Sequence, residues 1–216
     1  MEKVTFKVGQ IDLVGDLHAP AGAQQKKRPA VAILGPMTYQ KEQTPTQYAK
    51  RLAEQGFASL AYDSRYRGRA AVSRAPGRTL ITKSKISKPP SPTASASGCR
   101  PGPRFQSRDL PGEFVWVWYQ PWADRDAWDN RYAVMSDADL LSYDSIGAAN
   151  DLRVPWLMIH GDNCFLPSAA RRHMESVPEA TKTETIWDET PHLAYYDQLD
   201  AIDRATSKIV AWFRDG

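Results

Sequence analysis

The sequence predicts an α/β domain, a mostly parallel sheet between helical layers, and three observations shape that prediction. Short apolar runs of strand length alternate with segments whose apolar residues recur at helical spacing. The links between them are short, which implies right-handed parallel crossovers. The alternation also stops at Gly68 and resumes at Phe114, dividing the chain into 1–67, 68–113 and 114–216.

Taken in order, Val4 to Val8 and Ile11 to His18 read as paired strands. Ala30 to Leu34, AVAIL, is a continuous apolar run between Pro29 and Gly35, which suits a central strand buried on both faces. Thr44 or Thr46 is a candidate cap for a helix carrying Tyr48, Leu52 and Ala53 on one face and ending at Gly56. Phe57 to Tyr62 then makes another buried strand. Beyond Phe114, a tryptophan-rich stretch runs to Trp128, Val154 to His160 reads as a buried strand, and Ser168 to Val177 reads as a helix. Thr183 to Trp187 is a strand. Ala201 to Phe213 is a terminal helix with Ile202, Ala205, Ile209 and Phe213 on one face.

The middle segment has a different composition. Gly68 to Pro111 holds nine of the 28 Lys and Arg residues and one of the 25 acids, a local charge of +8. The other 172 residues carry 19 basic and 24 acidic side chains, a net charge of −5. With seven prolines, seven serines and Phe105 as its one aromatic, the segment cannot bury enough apolar surface to offset ordering entropy, so disorder is expected. Its codons suggest an origin. KSKISKPP, Lys83 to Pro90, can be encoded so that the frame one nucleotide earlier reads KIEDIKAA, and GRAAVSRAPG permits a neighbouring frame containing SGGEPR. The hypothesis is translation out of frame from about Gly68, with a deletion before Phe114. The alternative is a natural basic insertion.

Composition also bounds function. With 42% hydrophobic residues and no apolar run near the roughly 20 residues of a bilayer span, no membrane partner is expected. The start lacks the pattern of a signal peptide and only Cys99 and Cys164 are present, so a cytoplasmic protein without a disulfide framework is expected. The basic segment lacks the interleaved aromatics of a single-strand binder, which argues against nucleic acid. His160, Cys164 and His173 match no usual zinc spacing; packing or solvent is the expected role of the two histidines, burial that of Cys164, and a surface position that of His18.

Two motifs stand where an α/β sheet places its chemistry, beyond the carboxyl ends of parallel strands: His160-Gly161-Asp162 and Pro191-His192. An acid after one strand and a histidine after the next is the acid and base half of a hydrolytic triad, in which Asp162 would orient His192 and His192 would take a proton from a nucleophile. Asp162 could instead be a turn residue ahead of Asn163.

The strings GPMTYQKEQTPTQYAKRLAEQGFASLAYDSRYRG, NRYAVMSDADLLSYDSI, VPWLMIHGDN and ETPHLAYYD resemble the α/β-hydrolase superfamily, in particular its bacterial dienelactone-hydrolase-like branch, over about Lys3 to Gly68 and Phe114 to Phe213. The resemblance implies an α/β-hydrolase-like three-layer sandwich and hydrolysis of an ester or lactone, a small-molecule substrate, with no metal or organic cofactor. It further implies Asp162 and His192 as acid and base, and Met37, less directly Thr38, as the oxyanion-hole amide. The chain departs from the family at the nucleophile elbow. No G-x-S-x-G occurs; Ser73 lacks a preceding apolar strand, and Pro101 beside Cys99 would obstruct the helix an elbow needs. The nucleophile is therefore unassigned, and a sheet truncated in its centre is expected. The rival function is a non-catalytic binding protein that uses the basic segment or a pocket of Trp116, Trp118, Trp122 and Trp128; those rings could equally just cover apolar surface.

Overall fold

The computed structural model describes residues 1–9, 11–22, 27–36, 38–64, 83–84, 112–128, 132–133, 141–179, 181 and 183–215. Met37, Ser73, Cys99 and most of the 68–113 segment lie outside the described residues, as does the side chain of Trp116.

Strand β1 (Glu2–Val8) and β2 (Ile11–His18) form an antiparallel pair in register Val8↔Ile11, with Gly9 at φ 61° in the turn, where a side chain would be strained. β3 (Ala30–Leu34) leads through helix α1 (Thr44–Glu54) to β4 (Ala58–Tyr62), which pairs parallel with β3 and antiparallel with β2, giving the order β1-β2-β4-β3. β5 (Lys83–Ser84) and β6 (Tyr132–Ala133) make a separate antiparallel pair, with helix α2 (Gly112–Ala123) between them in sequence. Helix α3 (Ser145–Ala149) precedes β7 (Trp156–His160), and helix α4 (Pro167–Ser176) separates it from β8 (Thr183–Trp187), which runs parallel to β7. Helix α5 (Ala194–Asp197) and the long α6 (Leu199–Asp215) complete the chain.

The described parallel strands fall in two separate sheets. Among the described residues β3 pairs only with β4, and β7 only with β8. This corrects one expectation: AVAIL is not buried on both faces. Val31 and Ile33 pack with Leu52, Phe57 and Val210 under α1 and α6, whereas Ala30, Ala32 and Leu34 are exposed, Leu34 by 54%. Its composition is that of a central strand, but among the described residues only β4 pairs with it.

Two further expectations are corrected. The cap of α1 is Gln43, with neither threonine as a side-chain cap: the Gln43 side chain accepts from the Gln40 amide (2.9 Å) and Thr46 donates back to the Lys41 carbonyl (2.6 Å). His18 is buried rather than superficial, because the end of β2 is flanked by β4, where it faces Ser59.

Under the sheet lies a charged core. Lys41, 2% exposed, pairs with Asp16 (3.1 Å) and Glu42, and its amide donates to Asp63 (2.8 Å) at the end of β4. Burial works to lower the lysine pKa, but its contacts with Glu42 and Asp16 outweigh that and raise it, so the ammonium stays charged. These contacts anchor the loop after β3, which carries Thr38 and Tyr39 toward the site. No described helix is long and apolar enough to cross a membrane.

Candidate active site

Three loops at the carboxyl ends of strands meet α2: the loop after β3, the loop after β7 and the loop after β8. The last two are locked together at their bases. The Asp188 amide donates to the His160 carbonyl (2.9 Å), and the Asp188 carbonyl lies so close to Gly161 that a Cβ there would sit 1.8 Å from it. Asp188 also accepts from the Thr190 amide (2.9 Å) and the Tyr195 hydroxyl, while the His192 amide donates to the Asn163 carbonyl (3.2 Å). The ring of His192 is thereby held over Phe165, with centroids 4.1 Å apart.

Both ring nitrogens of His192 are engaged. The Phe165 amide donates to Nδ1 (3.3 Å), and Nε2 lies 2.8 Å from the Tyr196 hydroxyl. An amide can only donate, so Nδ1 is the acceptor and the proton of the neutral ring sits on Nε2, a tautomer assigned from these partners. Burial lowers the pKa of His192 to about 4, assisted by His160, so the ring is neutral at pH 7.

Asp162 is not joined to it. Its carboxylate accepts two bonds from Arg171 Nη2 (2.8 and 2.9 Å) and one from Trp187 Nε1 (3.1 Å), with the guanidinium lying 4.0 Å over the Trp187 ring. Arg171, and then Trp187, hold this carboxyl below the usual carboxylate range. The arrangement is the reverse of a working acid–base pair, which needs the acid on Nδ1–H and an unprotonated Nε2 toward the nucleophile.

Thr38, the other described oxyanion candidate, turns toward α2. Its hydroxyl bonds the Tyr119 hydroxyl and its carbonyl accepts from Trp128 Nε1 (2.8 Å). Tyr39 stacks on Trp118 (4.9 Å, 9°) and meets Tyr196 edge-on (4.9 Å), so the loop after β3 reaches His192 through two tyrosines. Burial raises both phenols well above their ordinary pKa, which keeps them neutral.

The described tryptophan side chains fill both roles considered for them, and Trp118 fills both at once, buried in the aromatic core and bordering the cavity. Trp128 is buried in the aromatic core with Tyr39 and Tyr119. Trp118 and Trp122, with Val117, Phe165, His192 and Leu193, line a cavity of about 810 Å³. A second cavity of about 300 Å³ lies behind the histidine, bordered by Tyr48, Ile159, Cys164 and Tyr196. Cys164 is buried as expected, its thiol directed at the Thr190 carbonyl (3.7 Å) and pushed up in pKa by burial. His160 stacks on Trp187 and His173 on Trp156, so both are packed against rings.

No family model matches the chain. Over 68 residues, 31% of this chain, it is 43% identical to the uncharacterized protein PA2218 of Pseudomonas aeruginosa, a match that spans 18% of that protein's length. The crystal structure of PA2218 superposes with a TM-score of 0.68 at 15% identity, covering 99% of this chain and 92% of that one. DcsB in complex with its substrate analogue gives 0.68 at 13% identity, covering 97% and 98%. A thioesterase domain from the curacin biosynthetic pathway gives 0.54 at 14% identity, covering 96% and 99%. The chain has an α/β-hydrolase-like fold. Within it, the loops after β7 and β8 hold Asp162 and His192 at strand ends, as their motifs indicate. Phe165, Tyr196 and Arg171, which decide what those two side chains do, went unnoticed in the sequence. The only signal for Tyr196 was its place four residues after His192.

Proposed function

We propose that this chain is a carboxylic-ester hydrolase by lineage, with an ester or lactone as substrate and the acyl or aromatic part of that substrate housed in the tryptophan-lined cavity. The supporting observation is that cavity, about 810 Å³, with His192 in its wall at the end of the loop after β8. In the reaction a nucleophile adds to the carbonyl, His192 accepts its proton and returns it to the leaving alcohol, loop amides take the oxyanion charge, and a water that gives its proton to His192 then releases the acid and regenerates the nucleophile. Asp162 orients His192 in that scheme, and Met37 and Thr38 are the oxyanion candidates. No residue among those described is placed as the nucleophile, and no metal or organic cofactor is required. The dienelactone-hydrolase-like branch and a cytoplasmic site of action belong to the same proposal.

A second reading, a binding protein without turnover, is favoured by one specific observation: Nδ1 of His192 accepts a proton-donating amide while Asp162 is held by Arg171. Fluorophosphonate labelling with a phenyl-ester turnover assay separates the two. Labelling, and turnover that falls by at least 100-fold in His192→Ala, is the result expected of the hydrolase. Folded protein that neither labels nor turns over leaves the binding reading, and turnover unchanged in His192→Ala refutes the assignment of His192.

A further inference from the structure

Resting on the reading of the 810 Å³ cavity as the ligand site, we propose that this cavity selects ligands carrying a cationic amine, with Asp197 as the residue that reads the charge. Asp197 closes α5, one residue beyond Tyr196, and borders the cavity together with Trp118 and Trp122. Its Oδ2 accepts from Trp118 Nε1 at 2.7 Å, which fixes the carboxylate against the aromatic wall. Among the described residues it makes no ion pair with a lysine or arginine. Partial burial raises its pKa, and a cation arriving beside it would offset that cost.

The wall itself suits a cation. Indole faces attract positive charge, and one already carries it: the Arg125 guanidinium lies 4.7 Å from the centroid of the Trp122 ring. Arg125 also borders the cavity. Its Nε is committed to the Pro121 carbonyl (2.8 Å), and its chain neighbours Asp124 and Asp126 are exposed. A ligand ammonium against Asp197 would lay its apolar body along Trp118 and Trp122, toward His192.

The test titrates the intrinsic tryptophan fluorescence of the full chain with phenethylamine, phenethyl alcohol and phenylacetate at neutral pH. The expected result is that the amine binds roughly tenfold more tightly than the alcohol and the carboxylate more weakly than either. Asp197→Asn, which keeps an acceptor for Trp118 Nε1, is expected to erase the amine preference, and Asp197→Glu to retain it. Equal affinity for amine and alcohol in the unmodified chain, tighter binding of phenylacetate, or an amine preference that survives in Asp197→Asn would each overturn the inference. Because the ligand ranking needs no variant, a misfolded Asp197→Asn leaves the test intact. Ester turnover without amine preference defeats this inference alone, and amine preference without turnover or labelling defeats the hydrolase proposal alone.

Discussion

At the scale of single residues, the chemistry of the site turns on which partner each charged or titratable group has found. His192 is neutral because it is half-buried between Phe165 and Tyr196, and its lowered pKa links protonation to stability. The unfolded chain takes up this proton near pH 6.5 and the folded chain only near pH 4. The group's contribution is therefore fully present above pH 6.5 and is lost as pH falls from 6.5 to about 4. Discounted for partial solvent access, the loss is on the order of 1–2 kcal/mol. Urea denaturation at several pH values measures it, and His192→Phe is expected to flatten the profile in that window. Asp162 shows the same dependence on partners. Arg171→Ala should return its carboxyl toward the ordinary range and free it to approach His192, whose ring would have to carry a proton on Nδ1 to pair with it. NMR titration of the histidine ring is then expected to show a pKa above 4, and an unchanged value would show that Arg171 is not what keeps the two apart.

At the scale of elements, the site depends on how two βα loops are braced. The crossovers from β3 to β4 and from β7 to β8 were legible from apolar runs and helical spacing, since both signals are local. Contacts between loops were not, because they join residues distant in sequence, such as Gly161 with Asp188 and Tyr39 with Tyr196. The glycine of His160-Gly161-Asp162 has a packing reason: the Asp188 carbonyl occupies the space of a side chain. Gly161→Ala must displace the backbone of the loop that carries His192. Its expected effect is a loss of several kcal/mol of stability together with weakened binding of phenethylamine, measured by denaturation and by fluorescence titration. The N-terminal cap of α1 escaped sequence reading for a related reason. Gln43 is a weak capping residue by type, and only the turn from Gln40 to Gln43 gives its side chain an acceptor role.

At the scale of the whole molecule, the sheet of four strands and the sheet of two leave β3 and β7 without further strands among the described residues. A parallel edge with no further partner among the described residues, beside exposed Ala30, Ala32 and Leu34, is a template for association with another chain. Concentration-dependent self-association is therefore expected in sedimentation velocity, and Leu34→Lys should reduce it by placing a charge at the end of β3. Association unaffected by the lysine would show that this edge is not the contact. The composition of the chain changes between the strand ending at Tyr62 and the helix beginning at Gly112. The nucleotide sequence across codons 68–113 decides between a shifted frame and a true insertion. Codons that spell KIEDIKAA in the neighbouring frame support the former, and codons that forbid it exclude it.

The sequence by itself determined the α/β class, most of the strand and helix positions, and the placement of Asp162 and His192 at strand ends. Each of these follows from local periodicity and from short-range turn chemistry. Tertiary structure alone decided that Nδ1 of His192 accepts from Phe165, that Arg171 takes the carboxylate of Asp162, that AVAIL is covered on one face, and that Asp197 looks into an aromatic cavity. The physical reason is that hydrogen bonds and burial are satisfied by whichever groups the packed chain brings within about 3 Å, and sequence spacing does not encode those partners.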